Sequence, residues 1–312
     1  MRPVGSVNGR TPRGGYPAVA AVDGGFLAGF LEGEACFQIR KMARGSSYGC
    51  ALALSCRADD AHLVRDLVAR TCLGSLQPKP ARGRSMPQLR WNISAKSDCL
   101  RLAEILDRHP MRGRKSHEYA IWRAGVNWWI DGDPRARRPQ RDWTPMAHLK
   151  SQLERLKRFE MATSPLIGEP ADLFDDWGDF LSGFLTAECH LSLARVAPGR
   201  IRPRMSVHVR ADDRELLEQL ASRANVGTVN GPYRAGPGSS PSVIWAVVGL
   251  ADLERITRVL DQHRLRGRKQ SEYAIWKQAV AVRLRRSRGC EAALTSLRDD
   301  LTRARRYSGP ID

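Results

Sequence analysis

The sequence contains no Cys-x-x-Cys pair, and its seven cysteines (Cys36, Cys50, Cys56, Cys72, Cys99, Cys189 and Cys290) are odd in number. Both features argue against a structural zinc site and a disulfide framework, and they favour a reducing compartment. Several of these cysteines lie inside apolar runs, so they read as small core residues rather than nucleophiles. No stretch approaches the roughly 20 apolar residues that span a bilayer, and "MRPVGSVNGRTPRGGYPAVAAVDGG" has no apolar signal core. Neither a membrane partner nor secretion is expected; the expected location is the cytoplasm or an organelle, in contact with the nucleoid. Negative charge is also scarce: Asp and Glu total 33 against 51 Lys and Arg, a net charge of +18. The basic residues are spread over strands and loops, which favours a polyanionic partner, with nucleic acid the leading candidate.

What is present is an internal repeat. "FLAGFLEGEACFQI" from Phe26 returns 154 residues later as "FLSGFLTAECHLSL" from Phe180. At the same shift "RGRKSHEYAIW" (Arg112 to Trp122) returns as "RGRKQSEYAIW" (Arg266 to Trp276), and Trp91 meets Trp245. "CRADD" (Cys56 to Asp60) matches "VRADD" (Val209 to Asp213) with a slip of one residue. Four segments in the same order define a duplication.

Periodicity predicts helices near 24–34, 59–70, 98–107 and 116–126 in the first copy, with Asp98 and Ser116 as caps, and near 178–188, 212–223, 251–262 and 270–283 in the second. Strands fill the intervals. Amphipathic stretches from Met146 and Glu291 each close a repeat. The expected organisation is a flexible tail over 1–22, a first repeat with its closing helix over 23–162, an acidic linker over 163–176 and a second repeat over 177–312.

Alternation sorts the strand residues into two faces. Phe37, Ile39, Leu52, Leu54, Leu89, Trp91 and Ile93 form the first core face, and Met205, Val207, Val209, Val243, Trp245 and Val247 the second. The opposite face carries Gln38, Arg40, Arg57, Gln77, Lys79, Gln88, Arg90 and Asn92 in the first copy, and Ser192, Arg204, Ser206, His208, Arg210, Asn230 and Arg234 in the second. Such side chains suit base edges and phosphates in a major groove, although an ordinary solvated face is the plain alternative for any single strand. The two polar faces differ from one another, which suits a non-palindromic site.

Glu34 and Glu188 fall in the last turn of the first helix of each repeat. A carboxylate there faces the negative end of the helix dipole and needs a compensating positive partner. Gly29 and Gly33, matched by Gly183 and Ala187, give each helix a small-residue face on which two backbones can approach closely, with helix-on-sheet packing as the alternative. Glu32 is matched by Thr186 and is expected to be solvated or locally paired. Tyr119, Trp122, Tyr273 and Trp276 have core spacing.

"LAGFLEGEA" (Leu27 to Ala35) and "LSGFLTAEC" (Leu181 to Cys189) resemble two copies of the motif of the LAGLIDADG homing endonucleases, and the Arg-Gly-Arg-Lys segments resemble that family's later helix. Two motifs in one chain resemble its single-chain branch. That resemblance implies an α+β fold: two αββαββα repeats about a pseudo-twofold axis, whose saddle-shaped antiparallel sheets grip double-stranded DNA. It also implies a site-specific endonuclease acting by metal-assisted hydrolysis, with Glu34 and Glu188 as ligands of two or three Mg²⁺ ions, which Mn²⁺ can replace. Arg112 and Arg266 fall near the family's basic active-site position, with Lys115 and Lys269 as neighbouring alternatives; a charged helix entry that touches only backbone phosphate or solvent is the plainer reading. The motif's final glycine is Ala35 in one copy and Cys189 in the other, and Ser182 replaces the usual alanine; all are small enough for the helix crossing to survive. Because one chain supplies both repeats, a monomer is expected. A free-standing or intron-encoded enzyme is expected rather than an intein domain, since the chain opens without a nucleophilic Cys or Ser and ends in "GPID". A DNA-binding regulator, or an intron-RNA maturase with RNA as partner, is the alternative on the same scaffold.

Overall fold

The computed structural model describes residues 16, 18, 22–42, 47–83, 85–131, 142–158, 176–234, 236, 238–285 and 289–306. The chain divides into two units, one of residues 1–28, 34–170 and 310–312, the other of residues 29–33 and 171–309. The expected linker lies outside the described residues except for Asp176, as does most of the expected tail.

The first unit runs α1 (Gly24–Glu34, whose residues 29–33 count with the second unit), β1 (Cys36–Lys41), β2 (Tyr48–Arg57), α2 (Ala61–Thr71), β3 (Ser75–Lys79), β4 (Gln88–Ile93), α3 (Lys96–Arg108), α4 (Arg114–Ile130) and α5 (Thr144–Lys157). Its four strands form one antiparallel sheet in the order β1-β2-β4-β3. The apolar alternation falls where expected: Phe37, Leu52, Trp91 and Ile93 are fully buried, together with Leu102, Ile105, Leu106 and Trp122 from α3 and α4. Two indoles fasten this layer, Trp91 Nε1 donating to Leu73 O at 2.8 Å and Trp122 Nε1 to Ala51 O at 3.1 Å.

The second unit repeats the plan with α6 (Trp177–Glu188), β5 (Cys189–Ala197), β6 (Arg200–Arg210), α7 (Arg214–Ala224), β7 (Thr228–Tyr233), β8 (Ser242–Val247), α8 (Leu250–Gln262), α9 (Arg268–Arg285) and α10 (Cys290–Arg305). Its sheet order is β5-β6-β8-β7. Leu191, Met205, Val207, Val243, Trp245 and Val247 fill the core face, with Val209 only half-buried. Trp245 Nε1 donates to Val226 O at 3.0 Å, the counterpart of the Trp91 bond.

Three local expectations are corrected. Asp98 does not cap α3, because the helix already starts at Lys96; its carboxylate accepts the backbone N–H of Gly74 at 3.0 Å and the Tyr16 hydroxyl at 2.5 Å. Asp252 takes the N–H of Gly227 at 3.1 Å in the same way. Both glycines have positive φ (68° and 71°), and a Cβ on them would meet the next strand's carbonyl at 2.4 and 2.5 Å, so this turn requires glycine. Ser116 does not cap α4 either: the helix starts two residues earlier, and the Ser116 hydroxyl is buried with no hydrogen-bond partner among the described residues. Finally, within the expected tail the Tyr16 hydroxyl is bonded to Asp98 and Val22 is buried, so these two residues are held in place.

Candidate active site and nucleic-acid interface

Glu34 and Glu188 are the last residues of α1 and α6, the first exposed and the second half-exposed. In the second unit the compensating charge at the helix end is visible. Lys269 Nζ donates to the carbonyl of Cys189, the C-cap of α6, at 2.6 Å, so an ammonium sits on the negative end of the helix dipole. The N–H of Arg266 donates to Thr186 Oγ1 at 3.1 Å. These two bonds fasten Arg266 and the first turn of α9, which carries Lys269, to the last turn of α6, which ends at Glu188. Glycine at position 33 leaves room for this arrangement, because a Cβ there would lie 2.3 Å from Ala187 Cβ and 3.3 Å from Glu188 Oε1. Along the same face, a Cβ on Gly29 would lie 2.0 Å from the Phe180 carbonyl oxygen.

In the first unit Arg112 and Lys115 are both buried, at 7 % and 6 % exposure. Cys56 lies near enough to Glu34 to sense it: its thiol is pushed up to about 12, by burial first and then by the Asp60 and Glu34 carboxylates. Cys189 is pushed up to about 11 by burial despite nearby Lys269 and Arg305, so neither thiol is a nucleophile at neutral pH.

Glu32 is 5 % exposed, so of the two expected states, solvated or locally paired, the solvated one is excluded. Phe26, Leu27, Ala28, Phe30 and Leu31 are all buried too, so α1 has no solvated face before Glu34. Its counterpart Thr186 is likewise buried.

The registers line up the polar faces. In the first sheet Ser55, Arg90 and Gln77 form one row, Arg57, Gln88 and Lys79 the next, and Asn92 stands between Ala53 and Ser75; Gln38 and Arg40 follow on β1. Gln77 and Lys79 are exposed; Gln38, Arg40, Gln88, Arg90 and Asn92 are half-exposed. The Arg40 guanidinium is held below its ordinary value by burial and then by Arg90, which marks a concentration of positive charge. In the second sheet Ser192 pairs with Arg204, and His208 stands in a row with Ile244 and Asn230. Arg234 is exposed just beyond β7. Ser206 is corrected: it shares the polar face but is 3 % exposed between His190 and Ala246, so its hydroxyl does not stand free for a groove contact. Arg57 and Arg210 are each paired with the aspartate two residues on, Asp59 and Asp212. Three further residues of this face, His190, Arg202 and Tyr233, are not among those expected from sequence. The alternation of Arg200, Arg202 and Arg204 was a usable signal for Arg202, since β6 starts at Arg200. The His190 imidazole is held below its ordinary value by partial desolvation, then by Arg305 and Lys269.

Among the described residues no group of three or more His, Cys, Asp or Glu is placed to hold a metal ion, and no helix is long and apolar enough to cross a membrane. The carboxylates available at the helix ends are hard oxygen donors of the kind Mg²⁺ and Ca²⁺ take, one per repeat.

Residues 27–126, from α1 into α4, match the family model of the LAGLIDADG endonucleases. No curated protein is a significant match. The fold is similar to that of the LAGLIDADG meganuclease I-AabMI, solved bound to uncleaved DNA, with TM-score 0.70 and 16 % identity over 88 % of this chain and 98 % of that one. The LAGLIDADG homing endonuclease I-SmaMI bound to cleaved DNA has TM-score 0.71 and 15 % identity, covering 91 % and 98 %. I-GzeII, in complex with its DNA target, has TM-score 0.69 and 12 % identity, covering 91 % and 100 %.

Proposed function

We propose that this protein, which matches the LAGLIDADG endonuclease model over residues 27–126 and shares the fold of solved LAGLIDADG endonucleases, is a site-specific double-strand DNA endonuclease working as a monomer. The reading is carried by one observation: each repeat keeps a glutamate, Glu34 or Glu188, as the solvent-reaching last residue of its first helix, whose other residues are mostly buried. A protein that only binds DNA gains nothing from carboxylates aimed at phosphate, whereas a hydrolase uses them. We assign these two residues as ligands of Mg²⁺, which would take the rest of its shell from water and phosphate oxygens. When bound, the metal would polarise the scissile phosphate and lower the pKa of water. A related structure, I-SmaMI bound to its uncleaved target in the presence of calcium ions, supports a divalent metal in this fold.

The chain's own side chains supply the rest. Arg112, Lys115, Arg266 and Lys269 place positive charge at the helix ends, where it offsets the charge developing on the phosphate. The two sheets supply the grip: Gln38, Arg40, Gln77, Lys79, Gln88, Arg90 and Asn92 on one, and Ser192, Arg204, His208, Asn230 and Arg234 on the other, to phosphates and base edges. The faces differ, so the target is long and non-palindromic. The test is selection from a randomised duplex library with Mg²⁺. Recovery of one family of cut sequences is the expected result; binding of a defined duplex without metal-dependent cleavage would overturn the assignment.

A further inference from the structure

We propose that Glu272 and its repeat counterpart Glu118 are positioning residues for cleavage, each a buried carboxylate that holds basic side chains at the end of the helix bearing Glu188 or Glu34. The inference rests on the endonuclease reading above and adds to it a role for two residues that touch neither metal nor DNA.

Glu272 is 1 % exposed, yet three cations converge on it. Arg268 pairs with Oε1; Arg305 Nε lies 2.9 Å and Lys269 Nζ 4.0 Å from Oε2. Both cations on Oε2 also donate to the backbone of β5 immediately after Glu188: Lys269 to Cys189 O, and Arg305 to Leu191 O. The carboxylate therefore stands behind the two basic groups that fix where α6 ends and β5 begins. Glu118, 2 % exposed, repeats the arrangement. Arg114 pairs with its Oε1, Lys157 Nζ lies 3.8 Å from Oε2, and Lys157 donates to Phe37 O. Phe37 and Leu191 are each three residues past the helix-ending glutamate.

The cations on the Phe37 and Leu191 carbonyls come from the closing helices, whose sequences differ between the repeats. Lys157 is the last residue of α5 and Arg305 the last of α10. Two unlike helices thus deliver a cation to the same point, and a buried glutamate receives it in both. A buried charge is costly unless paired, and without its carboxylate each cluster becomes a set of like charges in a dry site. Lys269 would then move off the end of α6, away from the place its catalytic role requires.

The experiment uses the full chain and its recovered target, reading the single-turnover cleavage rate at saturating protein with Mg²⁺ and the Kd for the same duplex without divalent metal. For Glu272→Gln the expected result is a rate lowered about tenfold or more with Kd within about threefold, since the side chain contacts no DNA. Glu272→Asp, which keeps the charge, should recover part of the rate. In a cycle with Lys269→Met, Glu272→Gln should cause little further loss, because it acts through the lysine. Should Glu272→Gln fail to fold by circular dichroism, Glu272→Gln with Arg305→Gln removes one cation along with the carboxylate and takes its place in the cycle. A rate within about twofold of the parent, or losses that multiply fully with Lys269→Met, would overturn the inference. A parent that does not cut would instead overturn the endonuclease reading itself.

Discussion

Gly29 packs against Phe180 so closely that a Cβ on the glycine would lie 2.0 Å from the phenylalanine's carbonyl oxygen and 2.8 Å from its carbonyl carbon. The obstacle is backbone, which has no rotamer to yield. Gly29→Ala should therefore lose about 1–3 kcal/mol or more, as overpacked cores do. Gly236, with nothing among the described residues within 4 Å of its added Cβ, is the control, and Gly236→Ala should be near neutral. Chemical denaturation of the two variants checks the contrast; equal stability would mean that the packing at Gly29 is looser than these distances require.

Trp122 and Trp276 occupy matched positions and are both fully buried, but only one indole N–H has a partner among the described residues. Trp122 Nε1 donates to Ala51 O, whereas Trp276 Nε1 is buried without one. Replacement by Phe removes the same volume at both sites and a hydrogen bond at one. Trp122→Phe should thus cost about 1 kcal/mol more than Trp276→Phe, and equal losses in denaturant titrations would contradict the difference.

Burial raises the Cys50 and Cys56 thiols to about 12 and Cys189 to about 11, from an ordinary 9.0. A thiol with a raised folded-state value stabilises the fold fully below pH 9, and that contribution fades as pH rises towards the folded value. Stability should accordingly fall between about pH 9 and pH 11. Cys50→Ala should lose less over that interval than the parent, measured as the shift in denaturation midpoint. Parallel curves for the two proteins would exclude Cys50 as a contributor.

Much of this was legible in the sequence because it is written twice. The duplication fixed the element order, and alternation in β1, β4 and β6 separated the buried from the polar side chains. Helix starts were less legible: α3 and α4 each begin two residues before Asp98 and Ser116, since Asp98 is recruited by a distant glycine instead of by its own helix end. For Glu32, matched by Thr186, the sequence left a solvated and a locally paired state open, and the apolar run around it leaves no solvated side. The cations at the strand carbonyls were out of reach of any local pattern, for Lys157 meets Phe37 across 120 residues and Arg305 meets Leu191 across 114. Only the fold brings them together.

On the two proposed DNA-binding faces the basic residues are unequal. Arg57 is neutralised by Asp59 and Arg210 by Asp212, whereas Arg40, Arg90 and Arg204 have no such aspartate among the described residues. Replacing these three by Ala should lower the slope of log K against log salt by about 0.9 for each phosphate that is no longer neutralised, and replacing Arg57 and Arg210 should lower it less. Fluorescence anisotropy across a salt series checks this; an unchanged slope in the triple variant would remove these arginines from the interface.

The most direct measurement is cleavage of the recovered target with Mg²⁺ by the parent, Glu34→Gln and Glu188→Gln. Glutamine keeps the side-chain volume and removes the charge that recruits a cation. Because the substitution also relieves a carboxylate at a helix C-terminus, thermal stability without metal should be equal to the parent's or slightly higher. Each variant should bind the duplex as tightly as the parent or more tightly, and cut it at least about a hundredfold more slowly. Cleavage by both variants at the parent's rate would contradict the assignment of Glu34 and Glu188 as the metal ligands.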